Sequence, residues 1–156
     1  MNPETTLETL IPDFQGNERN IDRIIAVKPE VVSHNMETVK RLSREVRIQA
    51  KYERSLQVLK YLKDQGIART KSGIMLGLGE QEDEVIQTLK DLRSVNLDIV
   101  TIGQYLQPSK KHLPVKQFIT PDQFKKYETI GLELGFRHVE SGALVRSSYK
   151  AQKHLT

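Results

Sequence analysis

Apolar positions along this chain follow two rhythms that take turns. Runs that are alternately or continuously apolar, as in strands, are separated by stretches with an apolar residue every third or fourth position, as in helices. Thr6 to Pro12 reads as a strand closed by proline, and Asn20 to Ala26 as a short helix that Pro29 stops. Glu30 to Ser33 is a short strand. From Asn35 the spacing of Met36, Val39, Leu42 and Val46 predicts a helix. A further helix runs from about Tyr52 to Gln65, buries Leu56, Leu59 and Leu62, and ends at Gly66. Thr70 to Leu78 is β-like, and Val85, Ile86, Leu89 and Leu92 mark an amphipathic helix. Asp98 to Gly103 is the clearest strand. Thr120-Pro121-Asp122-Gln123 is a helix start, with a threonine cap, proline at the first position and glutamine at the third. That helix carries Phe124, Tyr127, Ile130 and Leu134 and stops at Gly135, before a last β-like run from Phe136 to Glu140.

Strands that alternate with helices of this length imply an α/β fold around a parallel sheet, with the helices outside. About four such units fit in 156 residues, whereas a full eight-unit barrel needs roughly 250. The chain therefore reads as a partial (β/α) barrel, a small open sheet or a piece of something larger. Met1 precedes the first strand by only a few residues, which fits a piece of something larger. Hydrophobic residues make up 37% and charged residues 28%, ordinary for a globular domain. The net charge of +4 is spread along the chain without an aromatic-interleaved stripe, so a solvated surface is favoured over a nucleic-acid partner. No signal peptide or long apolar run is present, making a soluble cytoplasmic protein without a membrane partner the default. Cysteine is absent, which excludes disulfides, cysteine nucleophiles and a self-contained iron–sulfur site.

Chemistry-bearing residues gather where strands are expected to end. Ser72 to Glu80 holds Gly73, Gly77 and Gly79 before a helix, a spacing that lets a planar ligand approach the backbone; Glu80 either accepts bonds there or begins the helix. Asn35 and Glu37 follow a strand end and suit ribose hydroxyls, or else Asn35 caps a helix with Glu37 in its first turn. Gln104 and Tyr105 follow the clearest strand and offer polar and aromatic groups, or form an ordinary loop closed by Pro108. Asp13 to Asn17 reads as a turn. His34, His112, His138 and His154 lack metal-ligand spacing. The tail Arg146-Ser147-Ser148-Tyr149 places two hydroxyls beside a guanidinium, a grouping that core packing does not require.

Five segments together resemble the C-terminal half of lipoyl synthases, members of the radical S-adenosylmethionine superfamily. They are Leu10 to Gly16, His34 to Val39, Lys71 to Glu80, Thr101 to Ser109, and Arg146 to Tyr149, in family order across nearly the whole chain. The resemblance implies an α/β partial (β/α) barrel over residues 1–140, followed by a tail over 141–156, and a sulfur-inserting enzyme that uses S-adenosylmethionine and two 4Fe-4S clusters. It implies that Asn35 and Glu37 lie near the ribose and methionine of the cofactor, and that Gly73, Met75, Gly77 and Glu80 form the adenine-side pattern. It implies Ser148, ahead of Ser147, as fourth ligand of an auxiliary cluster, supported by Arg146. The substrate would be an octanoylated lipoyl domain or H-protein. Both cysteine triads of the family are missing here, so this chain is expected to be inactive alone and to need a cysteine-bearing N-terminal half. The alternative is a non-catalytic module that binds the cofactor or a lipoyl-domain partner.

Overall fold

The computed structural model describes residues 5–155. Residues 1–4 and 156, and with them the expectation drawn from Met1, lie outside it. Five strands form one parallel sheet in chain order: β1 (Glu8–Leu10), β2 (Val31–Ser33), β3 (Arg69–Leu76), β4 (Ile99–Gln104) and β5 (His138–Gly142). Between them run α1 (Glu18–Ile25), α2 (Ser43–Val46), α3 (Tyr52–Asp64), α4 (Glu82–Ser94) and α5 (Pro121–Glu133). The result is an open partial barrel of four βα units and a fifth strand. Among the described residues no helix is long and apolar enough to cross a membrane.

Alternation along the strands divides the sheet's two faces. Ile74, Leu76, Val100, Ile102 and Val139 pack with Leu59, Leu89, Leu92, Phe124 and Tyr127 in the main core, which lies under the helices. A smaller cluster of Ile11, Ile21, Val32, Val58, Leu62 and Ile67 continues it beneath α1 and α3. Lys71, Gly73 and Met75 of β3 and Thr101 and Gly103 of β4 alternate onto the opposite, concave face.

Helix ends follow the sequence signals. Asn17 accepts from the Arg19 N–H to start α1, and Thr120 accepts from the Gln123 N–H to start α5. Glu84 reaches back to the Gln81 N–H at the start of α4. Gly66 and Gly135, at φ of +88° and +91°, follow α3 and α5.

Three expectations are corrected. No helix starts at Asn35: the chain runs on beside β3, with an isolated parallel bridge between Glu37 and Ile74, then a 3-10 turn at Lys40–Leu42 and the single turn of α2. Met36, Val39 and Leu42 are buried as the spacing requires, but against the sheet. The first strand is shorter than Thr6 to Pro12, because the Leu7 N–H turns to the Glu30 carboxylate at 2.6 Å. The last strand begins two residues later than Phe136, whose N–H bonds back to Gly131 at the end of α5.

Candidate functional site

A cavity of ≈ 200 Å³ opens on the concave face where β3 and β4 end, at the C-terminal edge of the sheet where parallel βα folds place their ligands. Asn35, Glu37, Gly73, Met75 and Thr101 line its floor. The bridge fixes the first two: the Glu37 N–H donates to the Gly73 carbonyl and the Met75 N–H to the Glu37 carbonyl, both at 2.8 Å. The Met36 N–H donates to Ser72 Oγ at 3.0 Å. Glu37 takes a left-handed φ of +66°, uncommon for a residue with a side chain and stabilised here by these flanking bonds.

The polar groups on this floor are not fully spent. Asn35 Oδ1 is buried without a partner, which costs free energy unless a ligand donor meets it. Burial raises the Glu37 carboxyl above its usual range, while a hydrogen bond from Asn35 and the charge of Arg47 oppose the rise. Gly73 leaves the floor open: a Cβ there would lie 2.9 Å from Thr101 Oγ1 and 3.1 Å from Asn35 Oδ1. A buried acceptor and a carboxyl of raised pKa suit a ligand rich in hydroxyls.

Other candidate residues are used by the protein itself. Glu80 accepts from the Gly77 and Leu78 N–H groups at 2.6 and 2.9 Å, closing the turn after β3, and α4 starts two residues later. A side chain at Gly77 would collide with Gln104 Nε2 and the Gln117 carbonyl. Gln104 lines the cavity, yet its amide is engaged. Nε2 donates to the Leu76, Tyr105 and Gln117 carbonyls, and Oε1 accepts from Ile119 N–H. Tyr105 is buried and its hydroxyl donates to the Leu113 carbonyl at 2.8 Å. These four residues shape the wall from behind.

The tail supplies the opposite wall. Val145, Arg146 and Ser147 line the cavity, whereas Ser148 is exposed beside it. Close approach of the Val145 carbonyl fills the space that a Cβ on Gly103 would need. Arg146 Nη1 donates to that carbonyl at 2.8 Å.

A second cavity of ≈ 470 Å³ shares Asn35 and Glu37 and extends over β1 and β2, past Asp13, His34 and Arg47. The sequence placed His34 at a strand end but assigned it nothing. Its Nδ1 lies 3.0 Å from the Ile11 carbonyl, which only accepts, so Nδ1 carries the proton and Nε2 accepts from Ser55 Oγ at 2.9 Å. Arg47 in turn donates to Ser55 Oγ and the Met36 carbonyl. Burial holds His34 below its ordinary pKa, so the ring is neutral. Asp13 pairs with Arg54 at 2.6 Å; burial alone would raise its carboxyl, but the Gln15 N–H and the guanidinium outweigh it and lower it. Long-range pairs of this kind leave no periodic trace in a sequence.

The donors present fit the hydroxyl-bearing cofactor expected from the resemblance better than they fit a metal cluster. With no cysteine in the chain, and no group of three His, Asp or Glu side chains in ligating geometry among the described residues, a 4Fe-4S cluster cannot be held by this chain alone.

Fold and cavity define a class: a barrel-type βα protein with a cavity at the C-terminal ends of its parallel strands. The Radical SAM superfamily profile matches residues 2–92, more than half of the chain, and the chain belongs to that superfamily. It is 90% identical over 155 residues to the lipoyl synthase of Christiangramia forsetii, covering 99% of this chain and 53% of that protein. It is 82% identical over 155 residues to the mitochondrial lipoyl synthase of Nematostella vectensis, again covering 99% of this chain and 53% of that protein. The chain thus spans about half the length of the curated relatives it matches. Among solved structures, hydroxymethylglutaryl-CoA lyase from Pseudomonas aeruginosa superposes with a TM-score of 0.52 over 86% of this chain and 43% of that one, at 16% identity. That likeness shows the fold alone.

Proposed function

We propose that this chain is the C-terminal half of a lipoyl synthase, inactive alone, which in an intact enzyme takes part in inserting two sulfurs at C6 and C8 of a protein-bound octanoyl chain. One observation carries the reading: identity of 90% to a lipoyl synthase extends over 155 residues, 99% of this chain. S-adenosylmethionine, when bound, supplies the radical chemistry. Asn35 accepts a hydroxyl donor of that cofactor, Glu37 completes the polar floor, Gly73 and Met75 give it a flat seat, and Gly77, Glu80, Gln104 and Tyr105 hold the surrounding turns. Ser148, with Ser147 as the second choice, offers one oxygen to an auxiliary cluster whose thiolates come from a separate N-terminal half, and Arg146 fixes the tail beside it. The partners are that half and an octanoylated lipoyl domain or H-protein.

Titration of S-adenosylmethionine into the isolated chain by calorimetry tests the floor: weak binding is expected, and Asn35→Ala should reduce it about tenfold, the loss of one hydrogen bond to a buried acceptor. Mixing the chain with a cysteine-bearing N-terminal half should restore sulfur insertion on an octanoylated lipoyl domain, and Ser148→Ala should impair it more than Ser147→Ala. Full activity with both serines changed would defeat the ligand assignment. Cofactor binding without complementation by any such half would favour the alternative, a non-catalytic binding module.

A further inference from the structure

Below the cavity, the concave face holds a charged cluster that the proposed sulfur chemistry does not use. Lys71 of β3 is only 1% exposed, and its Nζ donates to Glu8 Oε1 of β1 at 2.8 Å and to His154 Nδ1 at 3.2 Å. His154 belongs to the 3-10 turn Ala151–Leu155 and is completely buried. The register places this seat one layer beneath the cavity floor. Lys71 is level with Ile99, which is level with His138, and Glu8 stands at the foot of β1. The His138 ring lies 5.7 Å from the His154 ring, centroid to centroid.

The tail therefore crosses the concave face between two fixed points. At one end the Val145 carbonyl packs against Gly103; at the other His154 is buried beside Lys71. Between them Arg146, Ser148 and Tyr149 are exposed, held by the Tyr149 N–H to the Arg146 carbonyl at 2.9 Å and by Lys150 to Glu140 at 3.4 Å. At 3.4 Å, with Lys150 39% exposed, this pair is a loose restraint. Val145 and His154 are thus the two buried residues that anchor this segment among the described residues after Gly142.

We propose that His154 is a latch: seated on Lys71 it positions the Arg146–Ser147 segment over the cavity, and protonation of its ring releases the tail. An ammonium only donates, so Nδ1 must present its lone pair and the ring must be neutral while the latch is closed. A proton on Nδ1 removes that acceptor and sets a second cation against the buried Lys71. Glu8 Oε2, 4.0 Å from Nδ1, and Glu140 favour the added charge; Lys71 and His138 oppose it. Burial first, then Lys71, holds the His154 pKa below its ordinary value. The released tail takes up the proton at about pH 6.5 and the seated ring resists it. The latch is thus fully closed above that pH and loosens as pH falls toward the seated value. Over that window the open fraction rises up to tenfold per pH unit, one proton being taken up on opening.

Hydrogen exchange on the full chain, corrected for intrinsic rates, reads the latch without any catalysis, so its failure is separate from failure of the proposed function. The Tyr149 and Lys153 amides should lose protection up to about tenfold per pH unit below pH 6.5, while β4 amides keep theirs. His154→Gln, which can still accept from Lys71 but does not titrate, should stay protected and flat with pH. His154→Ala should be unprotected at every pH. Tail protection unchanged between pH 7.5 and 5.0, or protection in His154→Ala equal to the parent, overturns the proposal. If the variants do not fold, imidazole nitrogen NMR of the parent decides. An unprotonated Nδ1 that titrates in step with tail exchange supports the latch, and a proton on Nδ1 at pH 7.5 defeats it.

Discussion

Gly73 sits between two oxygens, Thr101 Oγ1 and Asn35 Oδ1, that a methyl group would press against at 2.9 and 3.1 Å. Gly73→Ala should therefore weaken S-adenosylmethionine binding about tenfold or more, with a change in melting temperature of only a few degrees, as calorimetry and thermal unfolding would show. Glu80 works in the opposite sense. Its carboxylate satisfies two backbone N–H groups of the turn, so Glu80→Ala should cost about 2–3 kcal/mol of stability, measurable by urea unfolding. The glycine spacing and the acid that follows it were visible in the sequence, but not which glycine lines the cavity. Gly77 and Gly79 are crowded by Gln104 at the end of β4 and by Gln117 and Lys116 from the loop beyond it, about 40 residues away in sequence, and only folding brings them alongside.

Elements were legible where a local rule acts alone. The threonine cap, first-position proline and terminal glycine of α5 all stand where the pattern put them, and Thr120→Ala should remove about 1 kcal/mol, seen as a lower urea midpoint at unchanged slope. The stretch after β2 was misread for a physical reason. Met36, Val39 and Leu42 repeat at helical spacing because all three are buried, and spacing reports burial rather than backbone. The deciding contacts are Ser72 Oγ on the Met36 N–H and the Glu37 bridge to β3, both between residues 36 or 37 positions apart. Ser72→Ala should loosen this segment, raising amide exchange at Met36 and Glu37 while α3 and α4 stay protected.

At the scale of the whole molecule, two features govern behaviour. The outer edges of β1 and β5 have no strand partner among the described residues, and open edges recruit other chains. Sedimentation should show association that increases with concentration and is suppressed by a complementary N-terminal half; a monodisperse, cooperatively melting monomer would count against the half-barrel reading. Stability should also fall on acidification. His34 and His154 are both held below their ordinary pKa, so the unfolded chain takes up protons near pH 6.5 that the folded chain resists. Stability is fully present above that pH and declines below it, by up to about 1.4 kcal/mol per pH unit for each histidine, as melts between pH 7.5 and 5 would record.

The strand order, in which every strand lies beside the one made just before it, has a consequence for synthesis. A chain leaving the ribosome grows this sheet at one edge only, because no later strand must be threaded between two earlier ones. Each new βα unit finds its neighbour already in place. His154 emerges after all five strands, so the crossing of the concave face is made on strands already synthesised.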